Sequence, residues 1–166
     1  MGNIVAALLD SGNPNIKKQT LDLQLYAHAL GVQLNLITVN VRQDLQAIFA
    51  RMRELRAAAL VIGASSFFKT VSEKLAELSV RYSIPAIYRY GDFAAAGGLM
   101  SYGNNMADAH RAAGVYTARI LNGEKPPGLL FQNSSRIELI LNLNTARALG
   151  LAISESLLMT ADEVIE

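Results

Sequence analysis

The sequence predicts an α/β domain, a doubly wound, mostly parallel sheet flanked by helices. Three observations carry this reading. Short, continuously apolar runs at 4–9, 57–62 and 85–88 have the character of strands buried on both faces. Stretches of helical period stand between them. Turn-forming residues, such as Asp10-Ser11-Gly12-Asn13-Pro14 and Gly63-Ala64-Ser65-Ser66, mark the joins. Strands that alternate with helices make βαβ units, and these build parallel sheets.

The elements follow in order. The run 4–9 is the first strand and stops at Asp10. A helix is expected over 17–30, with Leu21, Leu25 and Ala29 on one face and Gly31 as its stop. In 32–39, Val32, Leu34 and Leu36 alternate with Gln33 and Asn35, which suits a strand at an edge. The clearest helix is 44–55, where Leu45, Ile48, Phe49, Met52 and Leu55 form one stripe opposite Arg51, Arg53 and Glu54. After the strand 57–62 a single helix is expected over 70–82, with Val71, Leu75, Leu78 and Tyr82 turned inward. Strands at 85–88 and 99–102 bracket a polar-aromatic loop, 89–93, and Gly97-Gly98 opens the second of them. A helix over 106–121 stops at Asn122-Gly123. A strand at 136–142 and short helices at 145–149 and 155–158 complete the chain.

Composition narrows the function. With 166 residues the chain is one ordinary domain with a single core. Fifteen basic and fourteen acidic residues leave a net charge of +1, and no basic run suggests nucleic acid. There is no cysteine, so thiol catalysis, thiolate metal sites and disulfides are excluded. His28 and His110 have no second ligand at metal spacing, and no metal or cofactor is expected. The N-terminus shows no basic n-region and no cleavage site, so no signal peptide is expected in this chain. The compartment stays open, cytoplasmic included.

Right-handed crossovers gather the loops 10–13, 40–43, 63–68 and 89–93 at one edge of the sheet. Open α/β sheets bind ligands at that edge. Asp10, Ser11 and Asn13 fit either a ligand contact or a turn. Ser65, Ser66 and Phe67 fit either a polar-apolar ligand contact or a helix N-cap. Tyr88, Arg89 and Tyr90 place an arginine between two rings, which suits a carboxylate with an apolar moiety beside it. Tyr102 and Asn104 flank the same edge. Asp108 stands three residues after Asn105, a capping spacing. No nucleophile-base set is visible, and no G-x-S-x-G, so the chain is not expected to be an enzyme.

The stretch PAIYRYGDFAAAGGLMSYG (85–103) resembles the solute-binding proteins of bacterial ABC transporters. So do Ala112-Ala113-Gly114, the turn Gly123-Glu124-Lys125-Pro126, and the tail ELILNL, TA, ALGL and ADEVIE. Those proteins have the type I periplasmic-binding fold, and some take up aromatic amino acids. The resemblance also places the Asp108 carboxylate near the cleft, where a contact with an ammonium group is compatible with its capping position. Arg89 and Gly91 stand where the family usually has proline and arginine.

The resemblance covers the second lobe and the C-terminal crossings, and divides the chain into a ligand-binding lobe, 1–103, and a crossing segment, 104–166. It implies binding of a small organic ligand such as an amino acid, without chemistry, and delivery by the full-length protein to an ABC permease from a periplasmic or extracellular-facing position. It also implies that the helix 106–121 packs on a first lobe. With that lobe absent, its face Ala109, Ala113, Tyr116 and Ile120 is expected to drive a homo-oligomer, joined by 137–143, and half a cleft is expected to bind weakly. Two other classes share the architecture: a cytosolic flavodoxin-like signalling module, and a small-molecule enzyme using Asp10, Ser65 and Tyr88.

Overall fold

A computed structural model describes residues 4–129 and 136–166. Its core is a seven-stranded sheet in the order β2-β1-β3-β4-β5-β6-β7. The strands are β1 (Ile4–Asp10), β2 (Gln33–Val39), β3 (Ala59–Ile62), β4 (Ala86–Tyr88), β5 (Met100–Asn104), β6 (Ile137–Asn142) and β7 (Glu163–Ile165). All neighbours pair in parallel except β5 and β6, where Tyr102 lies opposite Leu139. The helices are α1 (Ile16–Ala29), α2 (Leu45–Glu54), α3 (Ser66–Thr70), α4 (Ser72–Arg81), α5 (Gly91–Ala95), α6 (Met106–Leu121), α7 (Leu143–Ala148) and α8 (Glu155–Thr160).

The central strand β1 justifies its apolar sequence: Ala6, Ala7, Leu8 and Leu9 are at most 1% exposed. Helices on both faces leave it no polar side to present. Around Leu8 the core gathers Phe49 and Met52 of α2, Leu60 of β3, Phe68 of α3, Leu75 and Leu78 of α4, and Tyr88 and Phe93. The expected edge position of β2 holds, as does the α2 stripe from Leu45 to Met52, whereas Leu55 falls past the helix end as its C-cap and is exposed. Asp44 caps α2 by accepting from the Gln46 N–H at 2.9 Å.

Four expectations are corrected. The helix expected over 70–82 is two helices, α3 and α4, with a break at Val71. Ser65 starts α3 early by accepting the Phe67 N–H at 3.0 Å. The loop expected over 89–93 contains the helix α5, and Gly97-Gly98 close it: the Gly98 N–H returns to the Phe93 carbonyl at 2.8 Å. On α1 the face with Leu21 and Leu25 is turned to solvent, at 66% and 65% exposure, and Ala27 is the buried residue. The strand β7 was not foreseen, because three residues carry no readable period.

Candidate functional site

The parallel strands end together, so the loops after β1, β3 and β4 meet at one edge. Strand order reverses between β1 and β3, where the loops splay apart and ligands settle in such folds. Here the two loops are tied across that point. Asp10, 9% exposed at the end of β1, accepts the Ser65 hydroxyl at 2.5 Å and the Gly12 N–H at 2.8 Å. The Asn13 side-chain amide donates to the Ala64 carbonyl, and Gln19 Nε2 donates to the same oxygen at 2.9 Å. Tyr88, 1% exposed, donates its hydroxyl to the Ser65 carbonyl at 2.9 Å. Asp10, Ser65 and Tyr88 thus form one hydrogen-bonded cluster that positions the edge. Ser11 and Ser66 stay exposed beside it, and Phe67 lies half-buried against Phe68 with ring centroids 5.3 Å apart.

Burial pushes the Tyr88 hydroxyl well above the ordinary tyrosine range. The folded state holds the neutral phenol, so its stabilisation is complete below the ordinary tyrosine pKa of about 10. It is lost as pH rises beyond that value, because the unfolded chain ionises first. We expect alkaline unfolding to begin at higher pH in Tyr88→Phe than in the parent, at a cost near neutrality of about 1 kcal/mol for the lost hydrogen bond. Urea melts over a pH series check both.

Further along the edge, where β4 and β5 end, a cavity of about 500 Å³ opens. Arg89 and Tyr90 form one side. The Arg89 guanidinium carbon stands 5.1 Å from the centre of the Tyr90 ring, and Lys69 Nζ stands 5.4 Å from the same centre. Tyr90 in turn meets Tyr88 edge-on at 5.2 Å, so the buried cluster holds the ring that carries the arginine. Among the described residues Arg89 has no ion pair or hydrogen-bonding side chain, whereas Lys69 lies 3.9 Å from Asp92. Asn104 and Asn105 at the end of β5, and Met106 and His110 on the first turns of α6, form the adjoining wall. Asn105 caps α6 by accepting the Asp108 N–H at 3.0 Å, and it donates to Glu138 at 2.8 Å. The capped, positive end of a helix therefore faces the cavity. Glu138 and Glu163 add acidic groups on the far side.

Of the residues singled out in the sequence, Arg89, Tyr90 and Asn104 line this cavity. Asp10, Ser11, Asn13, Ser65, Ser66, Phe67 and Tyr88 gather at the neighbouring switch point. Asp108 lies on α6 with its carboxylate on Arg111 at 2.5 Å. Tyr102 is 55% exposed and lies between Ser101 and Gly103, which line the cavity, so it projects to the opposite face of β5. Lys69, Asn105, His110, Glu138 and Glu163 were not singled out. Asn105 had a signal, its capping relation to Asp108. Glu138 becomes a neighbour of Gly103 only through the antiparallel β5–β6 register.

A family described as ABC transporter substrate binding protein matches residues 3–165. No curated protein matches the chain. Among solved structures, the ABC domain in complex with L-Trp from Streptococcus pneumoniae is similar at TM-score 0.83 and 22% identity, covering 98% of this chain and 55% of that one. A conserved domain protein from Vibrio cholerae is similar at TM-score 0.82 and 20% identity, covering 98% and 54%. The ligand-free, open form of a substrate-binding protein with adhesive properties from Clostridium difficile follows at TM-score 0.71 and 17% identity, covering 98% and 54%. The chain spans about half the length of these structures, and at these identities the likeness speaks for the fold. The match over nearly all its residues shows that the chain belongs to the ABC transporter substrate binding protein family.

Proposed function

We propose that this chain is the second, ligand-holding lobe of a solute-binding protein that serves an ABC importer, with 1–103 as the lobe and 104–166 as the crossing segment. The ligand is a small zwitterion such as an amino acid, bound without chemistry. The observation that carries this is Arg89: a guanidinium with no anionic partner among the described residues, held over a tyrosine ring at the wall of a cavity of about 500 Å³. An unpaired arginine in such a place suits a carboxylate, and the capped end of α6 adds to its pull. Glu138 and Glu163 supply the opposite charge for an ammonium group. The family supports binding rather than catalysis, and the L-Trp complex of the pneumococcal neighbour supports an amino acid as the class to test first.

No residue of α6 is buried. Its face with Ala109, Ala113 and Ile120, the last 43% exposed, is the docking face for the body that completes the cleft. Closure of two bodies over a ligand stabilises the closed state by the contacts each makes. The permease is the partner of that closed form, on the outer side of the membrane. No helix among the described residues is long and apolar enough to cross a membrane.

Calorimetry with an amino acid panel that includes L-tryptophan tests the reading. Arg89→Ala should weaken binding of the best ligand by about 1.5–3 kcal/mol, the scale of a charge-assisted hydrogen bond. Unchanged affinity removes Arg89 from the site.

A further inference from the structure

We propose that the cavity takes a basic amino acid, with Arg89 on the α-carboxylate, Glu138 on the α-ammonium and Glu163 on the cation that ends the side chain. This rests on the ligand-lobe reading above and names the class of ligand for the same cavity.

The cavity floor is one face of the sheet. Gly103 of β5, Glu138 and Ile140 of β6, and Glu163 and Ile165 of β7 all line it, because alternate residues of a strand share a face. The register fixes their places. Gly103 lies opposite Glu138, and Ile140 lies beside Glu163. Arg89 enters over β5: its carbonyl overlies Gly103 so closely that a Cβ on that glycine would strike it. Neighbouring strands lie about 4.8 Å apart, so Glu138 is one strand from that point and Glu163 two, about 10 Å across the sheet.

Charge and distance together choose the ligand. Among the described residues neither glutamate has an ion pair. Glu138 accepts a hydrogen bond from Asn105 at 2.8 Å, and Arg136, at the start of β6, turns instead to Asp162 at 2.6 Å. Lys69 and Asp92, 3.9 Å apart, offset each other. In the formal charge count, which takes histidine as neutral, one positive group, Arg89, then faces two negative ones. A zwitterion preserves that imbalance. A ligand with one carboxylate and two cations removes it. The α-ammonium shares a carbon with the carboxylate, so it falls to the nearer Glu138. The second cation must reach further, as the long aliphatic stem of lysine or arginine does. Ile140 and Ile165 give that stem an apolar bed. A neutral side chain would leave Glu163 unpaired, and closure of a second body would strip that carboxylate of water at a cost.

NMR titration of the labelled chain tests this, in the parent and in Glu163→Gln. The ligands are L-lysine, L-arginine, L-tryptophan and L-norleucine, which has the stem of lysine without its cation. Glu163 is exposed on an edge strand, so its substitution should leave the thermal melt unchanged. We expect the parent to bind lysine and arginine about threefold or more tighter than norleucine, as a solvated ion pair allows. Both should shift the Glu163 amide, which norleucine should leave in place. Glu163→Gln should bring lysine and arginine to the level of norleucine. A parent that binds norleucine or tryptophan as tightly as lysine overturns the proposal and leaves the ligand-lobe reading standing. So does a preference for lysine that Glu163→Gln keeps. No saturable shift with lysine or arginine also overturns it, whereas the ligand-lobe reading falls only if the whole amino acid panel is silent at Arg89.

Discussion

Gly103→Ala should destabilise the fold by about 3 kcal/mol, the upper part of the range for forced overpacking, and should also remove ligand binding. A Cβ at this position would stand 2.1 Å from the Arg89 carbonyl oxygen, and 2.9 Å from its carbon. Both atoms are backbone, so no rotamer change relieves the contact. The end of β5 must move away from the end of β4, or the Arg89 peptide must turn. Either movement displaces the guanidinium from the Tyr90 ring and alters the cavity wall that Gly103 itself lines. Chemical denaturation reads the stability, and calorimetry on the remaining folded protein reads the binding. A stable Gly103→Ala with parent affinity would show that the two strand ends approach less closely than described.

Phe93→Ala should cost about 3–5 kcal/mol, the usual range for removal of a buried phenylalanine ring. Phe93 is fully buried, and its ring stands edge-on to Tyr88 at 6.0 Å with an interplanar angle of 88°. It fills the space beneath α5, and the chain returns over it closely: a Cβ on Gly98 would lie 2.2 Å from the ring. Loss of the ring leaves a cavity beside Tyr88, whose hydroxyl reaches Ser65 and whose ring supports Tyr90. Against a typical domain stability of 5–15 kcal/mol the loss is large, and urea midpoints should show it directly. A change below about 1 kcal/mol would mean that the site collapses around the gap, which the described packing does not allow.

Legibility in the sequence followed the periodicity. β1 could be read because four consecutive apolar residues have no other use than double burial, and α2 because its stripe repeats three times. α5 could not, because Arg-Tyr-Gly-Asp-Phe holds one buried residue and no repeat. Its helical form is set by tertiary contacts, among them the Asn142 amide donating to the Ala94 carbonyl at 3.0 Å. The exposed Leu21 and Leu25 looked like a core face because an apolar stripe reads the same whether the chain itself or another surface covers it. At the site, Arg89 and Tyr90 stood out as a polar-aromatic strand end. Glu138 and Glu163 did not, because only the antiparallel turn of β6 and the late strand β7 bring them to the cavity. The sequence tied self-association to the uncovered helix 106–121.

The most direct test of the ligand-lobe reading is a heteronuclear NMR titration of the labelled chain with the amino acid panel, following ligand and protein signals together. The account predicts weak, saturable shifts at Arg89, Tyr90, Asn104, Asn105 and His110, with the ligand recovered unchanged. Shifts confined to other surfaces, no saturable shift at these residues at the solubility limit of every ligand, or the appearance of product signals would contradict it.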